Sequence, residues 1–269
     1  MFSSRVSQTF AALQHPNFRL WFSGQVVSLI GTWMQSTAQG YLLYQLTNSP
    51  ILLGVAGFAS GIPIWLFSLY SGIIADRISR RKMIFITQAS MMVLAIILAV
   101  LVFTDTVQAW HIIVLAFLLG TANAFDAPAR QAFVVEMVPK EDLTNAIALN
   151  SSVFNLGTVI GPSVAGLVYA WLGPGWCFTI NAISFVAVLA ALFMMRIPRR
   201  QYVPPTQSPL QSLRQGVKYA FGDADIRTLL INLGSVSMFG FSLMTLLPAW
   251  ATTVLGGDVK TNGLLLSAR

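Results

Sequence analysis

Side chains that could form ion pairs are concentrated in one short segment of the chain. Residues 72–82 read Gly-Ile-Ile-Ala-Asp-Arg-Ile-Ser-Arg-Arg-Lys, and the charged residues of this segment separate two long runs that hold no charge, 20–75 and 83–104. Further along, Asp126 and Arg130 have the four-residue spacing at which opposite charges meet on one helix face. The sequence has neither a phosphate-binding glycine loop nor a cluster of metal ligands. We therefore expect no enzyme activity, no catalytic residue, no cofactor and no metal.

Polar side chains also recur along one face of the first apolar segment, at steps of three or four residues. A polar stripe is unfavourable against lipid, so it should face a water-filled cavity or another helix. Hydrogen bonding between helices explains any one of these residues as well as contact with a bound molecule does. Together with two later asparagines, the cavity candidates are Gln25, Thr32, Gln35, Gln39, Asn123 and Asn155.

The elements that position these residues are helices that cross a membrane. Hydrophobic residues make up 55% of the chain, charged residues only 9%, and the mean hydropathy is +0.70, which lies outside the range of soluble domains. A span needs about 20 apolar residues, and Pro and Gly divide the longest apolar runs. The sequence predicts spans at 18–46, 51–75, 83–103, 109–129, 143–172, 176–195 and 228–255, and an eighth that begins near residue 262.

The distribution of basic residues predicts which side of the membrane each loop faces. Fourteen of the sixteen Lys and Arg residues fall on one side of these spans. By the positive-inside rule, that side and the N-terminus are cytoplasmic. Basic residues beside a membrane are attracted by anionic headgroups, so the formal net charge of +7 does not point to a nucleic-acid partner.

A weak internal repeat predicts the domain organisation. Asn-Phe-Arg at 17–19 enters the first span, and Asp-Ile-Arg at 225–227 enters the seventh. We expect a six-helix bundle over 1–197, a cytoplasmic linker with an amphipathic helix over 198–222, and the start of a second bundle over 223–269. Paired six-helix bundles are one plan of secondary transporters, so either the sequence is a fragment or a partner supplies the remaining half, which transport requires.

Glycine and proline punctuate the second and fifth spans in a similar way. The second holds Gly57 and Gly61, and the fifth holds four such residues at related spacing. Interrupted helices at matching positions point to the working interface of a transporter. Close packing of helices through small residues is the simpler explanation, and we favour it on spacing alone. The fifth-span residues are Gly157, Gly161, Pro162 and Gly166.

Taken together, these residues resemble the major facilitator superfamily. The 72–82 segment looks like the loop motif between spans two and three of that superfamily, with Ile74 in place of Leu and Ser79 in place of Gly. The glycine–proline pattern of the fifth span is similar to the motif of the exporter branch. The segment 123–133 is similar to the bacterial branch that includes the enterobactin exporter and multidrug exporters. The resemblance implies an all-α transmembrane fold with a complete first half.

The resemblance also implies a role for the charged residues. In such transporters a loop acid, a loop arginine and an acid of span four form a cluster that holds the cytoplasmic side shut. Charges in a partly dry interface are strong when paired and costly when separated. For Arg81 and Lys82, setting the topology is explanation enough. The predicted cytoplasmic gate consists of Gly72, Asp76, Arg77, Arg80, Arg81, Asp126 and Arg130.

By resemblance the chain is a multi-pass protein of the bacterial inner membrane that exports a small organic molecule, a drug or a siderophore, in exchange for protons. One position departs from the pattern, because Ala116 stands where proton-coupled drug exporters often carry an arginine, four residues before Gly120. Coupling would then need Asp126 or a group in the other half. The alternatives are an uptake permease of the same fold and a truncated membrane protein that does not transport.

Overall fold

The computed structural model describes residues 10–77, 79–196, 218–219 and 221–268. Within these ranges it describes only the backbone of residues 68–69, 72–77, 238–239 and 241–242. All regular structure in these ranges is helical. Eight α-helices follow one another within the described ranges. They are α1 (Pro16–Thr47), α2 (Pro50–Arg77), α3 (Arg80–Phe103), α4 (Ala109–Val134), α5 (Leu143–Leu172), α6 (Pro174–Met194), α7 (Ala224–Thr253) and α8 (Val259–Ser267).

Local sequence explains where these helices begin and end. Pro16 and Pro174 occupy first-turn positions, where the missing N–H costs nothing. Asn48 ends α1 in the left-handed conformation (φ 48°), and Gly173 separates α5 from α6 at φ 90°, a value that glycine adopts without strain. These turns are short, so consecutive helices run antiparallel.

The first six helices pack into one bundle. Helix α1 contacts α5 and α6, α3 lies between α6 and α4, and α2 packs along α4. Helix α8 packs against α5. One core cluster surrounds Trp21, Phe18 and Phe133 at one end of the bundle, and another surrounds Met34, Leu43 and Phe178 towards the other end. Bundle packing thus fixes how α1, α3 and α4 face one another.

In the part of the chain that the structure describes, five helices are long and apolar enough to cross a membrane, and they correspond to the predicted spans two to six. The predicted first and seventh spans form α1 and α7, of 32 and 30 residues. At 1.5 Å per residue both exceed the thickness of a bilayer core. The polar stripe of α1 lowers its hydropathy, and most of that stripe is turned into the bundle.

Two predictions differ from the structure or fall outside it. The eighth helix begins at Val259, three residues before the predicted start, because Asp258 caps it by accepting hydrogen bonds from the backbone N–H groups of Lys260 and Thr261. The predicted amphipathic helix of the linker lies in 198–222, of which the structure describes only 218–219 and 221–222.

Candidate functional site

A fully buried carboxylate lies at the centre of the candidate site. Asp126 of α4 has no exposed surface. Thr87 of α3 donates to its Oδ1 at 2.6 Å, and the amide of Gln88 donates to both oxygens at 3.2 Å. Arg130 supplies the opposite charge, with its Nε 2.7 Å from Oδ2. Burial of a charge is costly unless it is paired and hydrogen-bonded, and here both conditions are met.

Arg130 extends this network to a third helix. Its Nη1 donates to Oε1 of Gln25 on α1 at 3.1 Å. Its Nε–H is not aimed at Asp126, so that contact is a charge pair rather than an aligned hydrogen bond. In the described part of the structure, Nε2 of Gln25 and Oε1 of Gln88 are buried without a hydrogen-bond partner. The network therefore joins α1, α3 and α4 and retains polar atoms that could take new partners.

A second ion pair joins the start of α3 to the end of α4. Arg80 Nη1 lies 3.0 Å from Oε1 of Glu136 and donates to the backbone carbonyl of Ala132 at 2.8 Å. Both side chains are only partly exposed. The structure pairs Arg80 with Glu136 and not with Asp126, so this pair and the Asp126 network are two separate contacts between the same two helices.

Of the other residues of the predicted cytoplasmic gate, the structure describes the side chain of Arg81 but not those of residues 72–77. Arg81 donates to the backbone carbonyl of Phe193 on α6 at 3.2 Å. Gly72 and the side chains of Asp76 and Arg77 lie outside the part that the structure describes in side-chain detail. The backbone of α2 is helical through Arg77. The two described arginines of the loop thus attach the start of α3 to α4 and to α6.

The cavity candidates do not share one environment. Gln25, Gln35 and Gln39 are buried, and each takes part in a hydrogen bond to a neighbouring helix. Gln35 accepts from the Asn181 amide of α6 at 2.7 Å, and Gln39 donates to the Ile112 carbonyl of α4 at 3.5 Å. The glutamines therefore serve as interhelical contacts in this conformation.

The remaining three candidates are less buried. The hydroxyl of Thr32 donates to the Ser28 carbonyl within α1, and Asn123 of α4 is half-buried. Asn155 of α5 is exposed. The structure therefore brings only Gln25, of the six, into contact with the Asp126 network.

The glycines of the fifth span allow close helix packing. A Cβ at Gly161 would overlap Cβ of Trp33 and lie 3.0 Å from the Ile30 carbonyl of α1, and one at Gly157 would lie 3.0 Å from the Trp33 ring. On another side of α5, Gly166 approaches the backbone of Lys260 in α8, 3.1 Å from the position its Cβ would take. Helix α5 is thus held between α1 and α8 through small residues.

Two further features concern metal binding and the ionisation of a carboxyl group elsewhere in the bundle. Within the described residues, no group of three or more His, Cys, Asp or Glu side chains could hold a metal ion. At the opposite end of the bundle, hydrogen bonds from the Thr261 and Lys260 backbone lower the pKa of the Asp258 carboxyl. That group caps α8 and is remote in sequence from Asp126.

A family model described as a transmembrane secretion effector matches residues 7–269, which is nearly the whole chain. The chain belongs to this family of the major facilitator superfamily. Among solved structures, this major facilitator chain is similar to a bacterial homologue of the human lysosomal transporter Spinster in an inward-facing, unoccupied conformation. The TM-score is 0.72 at 14% identity, over 93% of this chain and 59% of the other. That likeness concerns the fold alone.

The relatives of this major facilitator chain include named transporters. It is 27% identical to the staphyloferrin A transporter of Staphylococcus aureus over 93% of the chain and 63% of the relative. It is 26% identical to macrolide efflux protein A of Streptococcus pyogenes over 68% of the chain and 45% of the relative. It is 24% identical to the enterobactin exporter EntS of Shigella boydii over 88% of the chain and 56% of the relative. The chain spans less than two thirds of the length of these relatives.

Sequence reasoning missed three members of the site in this major facilitator chain: Thr87, Gln88 and Glu136. The first two lie one helical turn beyond the 80–82 basic run, and their polarity in an apolar segment was a usable signal. Glu136 lies ten residues beyond Asp126, in the turn that follows α4. Nothing in its spacing indicates Arg80 as its partner, because that contact depends on how α3 and α4 pack.

Proposed function

We propose that this chain forms the first bundle of a secondary exporter in the bacterial inner membrane. The exporter would move a small organic molecule, a drug or a siderophore, outward by alternating access in exchange for protons. The observation that carries the proposal is the buried Asp126–Arg130 pair, which joins three helices through hydrogen bonds. Relatives whose names refer to macrolide efflux and to enterobactin export support the outward direction.

Proton exchange would act through the charge of Asp126. When the carboxylate is ionised, it holds Arg130 and, through it, Gln25 of α1. Protonation removes the charge that pairs with Arg130, so the link between α1 and α4 weakens. A buried pair has two stable arrangements whose balance a bound proton or cargo can shift. In this proposal the Asp126 carboxyl carries the coupling proton, in the absence of an arginine at position 116.

The cytoplasmic gate would close the same end of the bundle. With the N-terminus in the cytoplasm, as the distribution of Lys and Arg predicts, Arg80 and Glu136 lie at the cytoplasmic ends of α3 and α4. Their ion pair would hold α3 against α4 at that end, and Asp76 would contact the second bundle. Alternating access needs two halves that rock against each other, so transport would require a second half in addition to this bundle.

The proposal is tested by changing Asp126 to Asn at the natural gene position, so that any continuation or partner stays present. Inverted membrane vesicles are given a pH gradient, acid inside, and a radiolabelled macrolide or catecholate siderophore. Unchanged vesicles should accumulate one of these probes, and Asp126→Asn vesicles at least tenfold less at equal protein abundance. The matched control is Glu141→Gln, which removes an exposed carboxylate and should not alter accumulation.

Three results would contradict the proposal. Equal accumulation by Asp126→Asn and unchanged vesicles would exclude that carboxylate from coupling. Accumulation only in right-side-out vesicles would establish an uptake permease. If neither orientation moves either probe while the protein is present in the membrane, the chain is a membrane protein without transport of these molecule classes.

A further inference from the structure

A groove runs along the outer seam between α3 and α4. It encloses about 750 Å³, a volume within the range of sites that hold small organic molecules. Its walls are mostly apolar, and its rim carries the exposed side chains of Phe85, Ile86 and Val93. Because both helices cross the membrane, a groove with such a rim opens to hydrocarbon rather than to water.

The length of the groove matches one leaflet of a bilayer. On α3 it extends from Met83 to Leu94, which at 1.5 Å per residue is about 16 Å. Half of a hydrocarbon core of about 30 Å is close to this value. The groove begins one residue after the basic run at the start of α3, so it occupies the leaflet on that side of the membrane.

A positive charge lies at the open end of the groove. Lys82 is exposed and precedes Ile86, Ala89 and Val93 by four, seven and eleven residues, which places all four on one face of α3. The last three line the groove. A lysine at a membrane surface attracts anionic headgroups, and here it lies in line with the hydrocarbon path.

The polar atoms in the walls do not favour a polar organic cargo. The Thr87 hydroxyl donates to Asp126, the Ser90 hydroxyl to the Ile86 carbonyl, and that of Thr121 to the Phe117 carbonyl. Their donor hydrogens are already used within the protein. An occupant would therefore be held by apolar contact along the groove and by charge at its end.

We propose that this groove binds one acyl chain of an anionic phospholipid, whose phosphate lies against Lys82. The acyl chain would cover Thr87, whose hydroxyl donates to the buried carboxylate, and so keep water away from that side of the Asp126 network. Charge pairs are stronger where water is excluded. The bound lipid is thus a structural partner of the ion pair, independent of which cargo the protein carries.

The test reconstitutes the chain in vesicles of equal phosphatidylcholine and phosphatidylglycerol, releases it in mild detergent and counts retained lipids by native mass spectrometry. Unchanged protein should retain one phosphatidylglycerol in preference to phosphatidylcholine. Lys82→Gln should lower that preference roughly fivefold, which corresponds to about 1 kcal/mol per basic residue at a membrane surface. Ala89→Trp fills the groove and should abolish retention of either lipid.

Matched controls separate the groove from general effects. Lys140→Gln removes an exposed basic charge away from the groove, and Ala190→Trp adds the same bulk on the exposed surface of α6. Both should retain lipid as the unchanged protein does. Equal losses in Ala89→Trp and Ala190→Trp would overturn the groove as the site, and equal preferences in Lys82→Gln and Lys140→Gln would overturn the headgroup contact. When a macrolide or siderophore probe is added to the same vesicles, retention of the probe without any lipid would also overturn the proposal.

Discussion

Removing Arg130 should destabilise the protein more than removing its partner, because the two members of the pair differ in burial. Asp126 has no exposed surface, whereas the Arg130 side chain is 24% exposed. Arg130→Met leaves a buried carboxylate with only Thr87 and Gln88 as donors, and stranding a buried charge costs about 3–5 kcal/mol. This loss should appear as a lower free energy of unfolding.

Asp126→Asn should cost less, about 1–2 kcal/mol. The new amide still accepts from Thr87, and Gln88 can turn so that its Oε1, now without a partner, accepts from the amide. Arg130 can reach towards water because part of its side chain is exposed. The double variant should then be more stable than the sum of the single losses predicts, with a coupling of about 1–3 kcal/mol.

Unfolding can be followed through the chain's single cysteine. Cys177 is buried, so a thiol dye reacts with it only as the bundle opens during titration with sodium dodecyl sulfate in detergent micelles. Arg81→Gln is the control, since Arg81 donates to a backbone carbonyl at the exposed end of α6, and its loss should cost at most about 1 kcal/mol. Strictly additive losses, or a smaller loss for Arg130→Met than for Asp126→Asn, would refute this reasoning.

Three other predictions concern packing, capping and orientation. Gly161→Ala should lower the free energy of unfolding by about 1–3 kcal/mol, because the added methyl overlaps α1, whereas Gly61→Ala should be tolerated since its Cβ meets nothing within 4 Å. Asp258→Ala should destabilise α8 by about 1 kcal/mol and speed amide exchange there. Because hydrogen bonding lowers the folded-state pKa of Asp258, its capping is present above pH 3.8, the ordinary value, and should be lost as pH falls through the lower folded value. An impermeant thiol reagent should label Thr106→Cys in intact cells and Glu141→Cys only in inverted vesicles, and the reverse pattern would contradict the proposed orientation.

Much of the fold follows from the sequence because each span leaves a local signal. Uncharged runs give the lengths of the helices, and the turns at Asn48 and Gly173 come from residues that tolerate positive φ. The confirmed pairing of Asp126 with Arg130 is also local, since four residues span one helical turn. The start of α8 was missed because the cap at Asp258 precedes the apolar part of that helix.

The contacts between helices did not follow from the sequence. The pairing of Arg80 with Glu136 depends on the stagger of α3 against α4, to which no spacing rule applies. The stripe on α1 correctly indicated one polar face, but Gln25 bonds to α4 and Gln35 to α6. A helix surrounded by others divides its polar residues among several neighbours, so a single helical face does not predict a single site.

The most direct test of the central claim compares two kinds of transport in the same vesicles. If Asp126 carries the coupling proton, as proposed above, net accumulation driven by a pH gradient depends on its carboxyl group, whereas exchange of labelled for unlabelled cargo depends only on the conformational change of the protein. Asp126→Asn should abolish the gradient-driven accumulation and retain the exchange. Gradient-driven accumulation that survives the substitution at its full rate would contradict the account.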